Sequence, residues 1–389
     1  MERESSISVV REIMDDFADL TGLSSAGKPP RRYLWTDAFA VCNFLELYRQ
    51  TGEEGHKHLA LRLVEQVHNI LGRHRDDDPR TGWISGLDEE EGKKHPTKGG
   101  LRIGKELNER KPADPIDEDL EWDRDGQYYH YLTKWMHALN RVSRETGDSK
   151  YNGWAVELAK TAHAKFTYVP PSGGQKRMYW KMSIDLSYPL VQSMGHHDPL
   201  DGFITYNQLQ ATAKRTSGKG ARTQLYAEIV DMGRICEGKN WTTDDPLGIG
   251  GLLFDACRIA QLVVNEDFKQ TDLLEILLDS SLMGLESFSR KNPIKMPAEY
   301  RLAFRELGLS IGLRALEKVR GMLEANPGLF TGRLHSRIEK LMRYAPLFAS
   351  LKEFWLESTN RKTKSWMEHR DINMVTLATS LAPEGFLTL

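Results

Sequence analysis

The feature that most constrains this chain is a pair of helical patterns joined through Thr-Gly and used more than once. Residues 33–52, "YLWTDAFAVCNFLELYRQTG", place Phe39, Cys42, Leu45 and Tyr48 on one stripe and end in Thr51-Gly52. Residues 56–74 follow with a second stripe of Leu59, Leu63, Val67, Ile70 and Leu71. Residues 126–148 repeat the first pattern, with Tyr128, Leu132, Trp135, Leu139 and Val142 inward and Thr146-Gly147 at the end, and residues 151–168 repeat the second. Apolar spacing of this period marks amphipathic helices. A Gly just past a helix end supplies the left-handed cap position, so each pair reads as an αα-hairpin with a short connection.

The first-helix pattern, led by a charged or aromatic loop, recurs at 196–213, 244–263, 297–319 and 369–382. Second-type helices read at 221–236, 268–288 and 333–356, and the unpartnered N-terminal pattern 5–20 can supply the sixth. Six inner and six outer helices make an all-α (α/α)6 toroid, a single domain over residues 1–389, its N-terminal helix closing the ring and its long loops gathered at one end. In this the chain resembles the six-hairpin glycosidase-like superfamily. The resemblance is architectural, covers nearly the whole chain, and rests on the helix pairs and the acid-bearing loops before the inner helices. It carries no motif specific to one family. A solenoid of helical hairpins is the competing architecture; unequal spacing and long loops argue against its regular repeat of ~34 to 47 residues.

Composition removes several classes. With 40% hydrophobic and 28% charged residues the chain is an ordinary globular one. A net charge of −2 gives no footprint for nucleic acid or a membrane surface. The uninterrupted apolar runs fall short of the ~18 to 20 residues of a membrane span. The start "MERESSISVVREIMDDF" has no apolar core of a signal peptide. Three widely spaced cysteines, Cys42, Cys236 and Cys257, fit a reducing compartment, and a cytoplasmic protein is expected. Oligomeric state is not encoded.

Chemistry is expected at the inner-helix starts. Acids recur there: Asp37, then Asp123 and Asp125, Asp198 and Asp201, Asp244 and Asp245, Glu299, and Asp371. Each alone is explained by capping and the helix dipole. In a toroid they converge on one mouth, and two carboxylates in different environments are what glycoside hydrolysis requires. Asp123 or Asp125 is expected as one catalytic carboxylate and Asp198 or Asp201 as the other, with His130 and His197 tuning them. Trp35 lies two residues from Asp37, Trp122 beside Asp123, and Tyr179 and Trp180 in the second long loop, where rings could stack on sugar faces. Gln127, Asp37, His369 and Asp371 join the substrate contacts, and Arg301 and Arg370, with Arg305 nearby, bring cations suited to an acidic sugar.

Two motifs invite other readings. "GHHDPLDG" (195–202) suggests a metal, but adjacent histidines diverge and no spaced third ligand accompanies them, so neither metal nor cofactor is expected. "GGLRIGKE" (99–106) matches GxxxxGK, but Glu106 follows where Ser or Thr is needed and no apolar strand precedes it. Arg102 and Lys105 remain able to reach an anionic group. The leading expectation is a glycoside hydrolase acting on a small oligosaccharide. A sugar 2-epimerase or aldose–ketose isomerase resembles the same architecture, and His130, His197 and His369 stand at three inner-helix starts. A non-catalytic ligand-binding toroid is the third reading.

Overall fold

The computed structural model describes residues 2–24, 27–217, 224–266 and 268–389. The chain is all-α, as the periodicity implies, and divides into two compact units, Ala18–Gly238 and Met1–Phe17 with Lys239–Leu389. Helix α1 (Glu2–Leu20) turns Val10, Ile13, Met14 and Phe17 inward, one apolar stripe at helical spacing.

In the unit Ala18–Gly238, α2 (Leu34–Thr51) pairs with α3 (Glu54–Leu71). The two long connections hold short elements, which are too brief to leave a periodic trace. These are α4 (Glu89–Lys94), α5 (Glu118–Asp123) and β1 (Gln127–Tyr128) in the first. Helix α6 (Tyr129–Thr146) then pairs with α7 (Ser149–Phe166). The second connection contributes β2 (Thr167–Tyr168), β3 (Arg177–Met178), β4 (Lys181–Met182) and β5 (Pro189–Val191), before α8 (Asp198–Ser217) and α9 (Tyr226–Cys236). The expected start of α9 at 221–223 lies outside the described residues. Helix α6 packs against both α2 and α8, the three first-type helices side by side.

The Thr-Gly repeat is a repeat of bonds. Thr51 Oγ1 donates to Leu47 O and accepts from Glu53 N; Thr146 Oγ1 donates to Val142 O and accepts from Asp148 N. Gly52 and Gly147 follow at φ 71° and 74°, each closing its helix with an N–H to the carbonyl four residues back. A residue with a Cβ pays for that left-handed conformation, which is why the unit ends in glycine both times.

The other unit holds α10 (Pro246–Glu266), α11 (Thr271–Lys291), α12 (Ala303–Ala325), α13 (Gly332–Met342), α14 (Pro346–Leu356), α15 (Lys364–Glu368), α16 (Arg370–Leu381) and α17 (Glu384–Leu387). Helix α12 packs against α10 and α16. The single helix expected over 333–356 is two, because Pro346 lacks an N–H and its ring clashes with the turn before it. The start of the segment 297–319 is a 3₁₀ turn at Ala298–Tyr300, and α12 begins at Ala303. Helix α10 corrects the reading of apolar runs: it has the length and composition of a membrane span, mean hydropathy 1.6, yet 78% of that window is buried inside the protein. A helix enclosed on most sides is apolar nearly all round.

Helices α10 and α12 cross backbone to backbone. A Cβ on Gly250 would stand 2.2 Å from Gly308 O, and one on Gly312 2.6 Å from Gly250 Cα. Gly250→Ala is therefore expected to cost about 1–3 kcal/mol by overpacking, read as a lower urea midpoint.

Candidate active site

The stretch before α6 is anchored by two side chains that the sequence reading assigned to chemistry. Asp125 is completely buried and accepts from Arg102 NH1 (2.9 Å), Arg75 NH1 (3.3 Å), Gly104 N (3.0 Å) and its neighbour Gly126 N (3.0 Å). A carboxylate taken out of water needs such compensation, and here the compensation occupies both oxygens. Gln127, also completely buried, accepts from Leu101 N (2.9 Å) and donates to Gly99 O (3.0 Å) and Ile184 O (2.7 Å). It therefore ties one long connection to the other, as does the antiparallel pairing of β1 with β4. Asp125 is a buried loop anchor rather than a free carboxylate, and Gln127 a cross-link rather than a substrate contact. Asp123 is exposed at the end of α5.

Above this anchor runs a row of rings. Trp122, 53% exposed, meets Trp180 edge-on at 5.3 Å. Trp180 contacts Tyr128 at 5.2 Å and lies nearly parallel to His130 at 6.2 Å and 13°. His130 touches Tyr131 edge-on at 4.8 Å, and the Tyr131 hydroxyl is 2.8 Å from that of Tyr33. Tyr33 and Tyr131 escaped the sequence reading. The signal for Tyr33 is register: it is the N-cap of α2 as Tyr128 is of α6. Trp35 packs instead on Phe39, buried in the core at 4.4 Å. Tyr179 stacks on Tyr168 at 4.1 Å in the β2–β3 hairpin. Asp37 is buried, accepts from Tyr33 N (3.0 Å) and faces Arg32 at 3.5 Å, a capping position.

His130 meets the start of α8. Its Nδ1 is 3.9 Å from Asp198 Oδ1, and both that Nδ1 and Asp198 Oδ2 are buried atoms without a hydrogen-bond partner. Leaving buried polar atoms unpaired costs about 1–3 kcal/mol each, so their coincidence is unlike a structural pair. Asp201, one turn on, is committed: it accepts from Thr133 Oγ1 (2.5 Å) and Lys134 Nζ (2.8 Å), bolting α8 to α6. Burial, reinforced by the Asp201 charge and opposed by Lys134, pushes the Asp198 carboxyl up to about 7. Burial, with Lys134 adding and Asp201 opposing, lowers His130 to about 3. Near neutrality the pair is thus an uncharged imidazole beside a carboxyl close to half protonated, a base and an acid side by side. His197, half-buried, precedes Asp198, with its ring 4.5 Å from that of exposed His196. Among the described residues no three His, Cys, Asp or Glu side chains converge as metal ligands.

In the other unit, Arg301 is corrected from substrate ligand to core residue. It is buried, grips Glu306 through Nε (2.9 Å) and NH2 (2.7 Å), donates to Ile294 O (2.9 Å) and covers the Phe354 ring. Arg305 pairs with Asp245 at 2.8 Å, and Lys291 with Asp244. Glu299 is exposed. His369 stands edge-on to Phe304 at 5.4 Å, and half-buried Arg370 and Asp371 approach to 3.8 Å.

No family model matches the chain, and no curated protein does. Solved structures to which it is similar include cellobiose 2-epimerase from Spirochaeta thermophila DSM 6192, at 12% identity and TM-score 0.46 over 87% of this chain and 85% of that one. Cellobiose 2-epimerase from Bacillus thermoamylovorans B4167 gives 11% and 0.45 over 88% and 87%. A sugar epimerase from a ruminal bacterium gives 10% and 0.44 over 87% and 98%.

Proposed function

We propose that this protein is a carbohydrate-active enzyme that moves a proton at a carbon of a free sugar, as a sugar 2-epimerase or aldose–ketose isomerase does. The observation that supports it is the His130–Asp198 pair beside the aromatic row, with a buried atom of each left unsatisfied. The neutral imidazole takes the C2 proton of an open-chain aldose while the Asp198 carboxyl gives its proton to the C1 oxygen, leaving an enediol. Return of the proton from the imidazolium to C1, with the O2 hydroxyl proton passing to the now ionised Asp198 carboxylate as the C2 carbonyl forms, completes isomerisation. Epimerisation needs a second, protonated group that delivers its own proton to the opposite face of C2 while the O1 hydroxyl proton returns to the Asp198 carboxylate, and His197 is the candidate. The apolar faces of the sugar stack on Trp180 and Trp122. The free thiols of Cys42, Cys236 and Cys257 support the expected cytoplasmic setting.

Asp198 favours a second reading. A carboxyl raised to about 7 is also a fitting general acid for glycoside hydrolysis, with another carboxylate as base or nucleophile. The two separate in deuterium oxide. With free aldoses and short oligosaccharides, deuterium is expected at C2 with every glycosidic bond intact, read by proton NMR. New reducing ends with protium retained at C2 would instead establish hydrolysis.

A further inference from the structure

The cations in the long connection preceding α6 are mostly spent. Arg75 and Arg102 are held by Asp125, and buried Arg110 by Glu121, which also takes Lys181 from the second connection. Lys105 differs. Among the described residues its ammonium has no ion pair and no side-chain hydrogen bond, although it is half-buried and stands 5.4 Å from the centre of the Tyr33 ring. That ring is joined through hydroxyls to Tyr131, and Tyr131 to His130. The cation therefore sits at the end of the same aromatic row whose middle holds the acid/base pair.

Its backbone is fixed on both sides. Lys105 O accepts from Arg75 NH1 (2.5 Å), and Gly104 N donates to Asp125. Ile103 N donates to Gly126 O (2.8 Å), Leu107 N to Asp123 O (3.2 Å) and Asp125 N to Leu107 O (2.7 Å). Gly104 at φ +92°, with a Cβ position 2.2 Å from Arg32 O, admits no side chain there. The loop is tied down on both sides and presents an ammonium whose compensation is the Tyr33 ring face and the charges of Asp123, Asp125 and Glu106 without a direct ion pair. Burial pulls Lys105 below its usual range, against the nearby charges of Asp123, Asp125 and Glu106. A cation already part-way out of water gains more from a bound anion than an exposed one does.

We propose that Lys105 is a specificity-determining residue that anchors an anionic group, carboxylate or phosphate, on the sugar. This rests on the site proposed above, and names its substrate class as acidic sugars. The class follows from charge: a neutral sugar leaves Lys105 half-buried and unpaired, whereas a charge-assisted hydrogen bond rewards its position.

The test is titration of tryptophan fluorescence with glucuronate, glucose 6-phosphate, glucose and inorganic phosphate, beside deuterium exchange at C2 for each sugar. At least one acidic sugar is expected to bind ~10- to 100-fold tighter than glucose, the range of a hydrogen bond to a charged group. Glucuronate or glucose 6-phosphate as the preferred ligand identifies the anion. In Lys105→Met that ratio should collapse toward one, and in Lys105→Arg it should largely return, which separates loss of the charge from loss of the fold. No preference in the native protein, an unchanged ratio in Lys105→Met, or phosphate binding as tightly as glucose 6-phosphate would overturn the proposal. Absent exchange with an intact preference would count against the proton-transfer reading alone.

Discussion

Asp198→Asn is expected to lower C2 exchange by ~10²- to 10⁴-fold, the usual worth of a positioned general acid, with an unchanged far-UV circular dichroism spectrum. The substitution suits the test because Asn is close in shape to a protonated carboxyl, so the buried site loses its proton and little else. The native rate should fall as pH rises through about 7, where Asp198 surrenders its proton, and should hold on the acid side until His130 protonates near 3. A full rate in the Asn variant, or no alkaline limb, would remove Asp198 from the chemistry.

The same variant has a signature in stability. A carboxyl raised from 3.8 to about 7 in the fold binds a proton that the unfolded chain has lost, so its stabilisation is complete at low pH and fades as pH climbs to about 7. His130, lowered from 6.5 to about 3, acts in reverse: its stabilisation is complete above 6.5 and fades as pH drops toward 3. The two slopes oppose each other across pH 4 to 6.5, with His130 the smaller because a third of its side chain is exposed. Removing Asp198 uncovers the His130 slope. Stability of Asp198→Asn should rise with pH across that window relative to the native protein, as measured by urea unfolding at a series of pH values.

Asp125→Ala should be the most damaging single change to the first long connection, costing about 3–5 kcal/mol as a broken buried ion network. It strands two guanidinium groups and two backbone N–H groups at once. Arg75→Met should cost less, since Arg102 still faces the carboxylate at 2.9 Å. Urea unfolding decides; a loss below about 1 kcal/mol for Asp125→Ala would mean that water replaces the network.

The helices were legible because their signal is periodic and long. Thr51-Gly52 and Thr146-Gly147 announced two hairpins, and the bonds they make are the same bonds twice. The strands β1 to β5 left no trace, being two or three residues each. At the candidate site, His130 and Asp198 stand at inner-helix starts and Trp122 and Trp180 in the long connections, and the fold brings them into one contiguous run of contacts. Asp125 and Gln127 looked equally functional in sequence. What distinguishes them is burial with saturated partners, a three-dimensional property. Arg301 was misread for the same reason: its partner Glu306 lies five residues on, within ordinary helix-start spacing, and only the fold shows the two closed on each other.

The cross-link through Gln127 bears on how such a protein can change its substrate. One amide reaches Gly99 and Leu101 in one connection and Ile184 in the other, and β1 pairs with β4 across the same gap. Lys105 belongs to the first connection and Trp180 to the second. The two segments are therefore mechanically coupled: a backbone shift in either one alone would strand a buried amide, so under the proposed function a change of sugar preference is expected to come from paired changes or from surface positions such as Trp122.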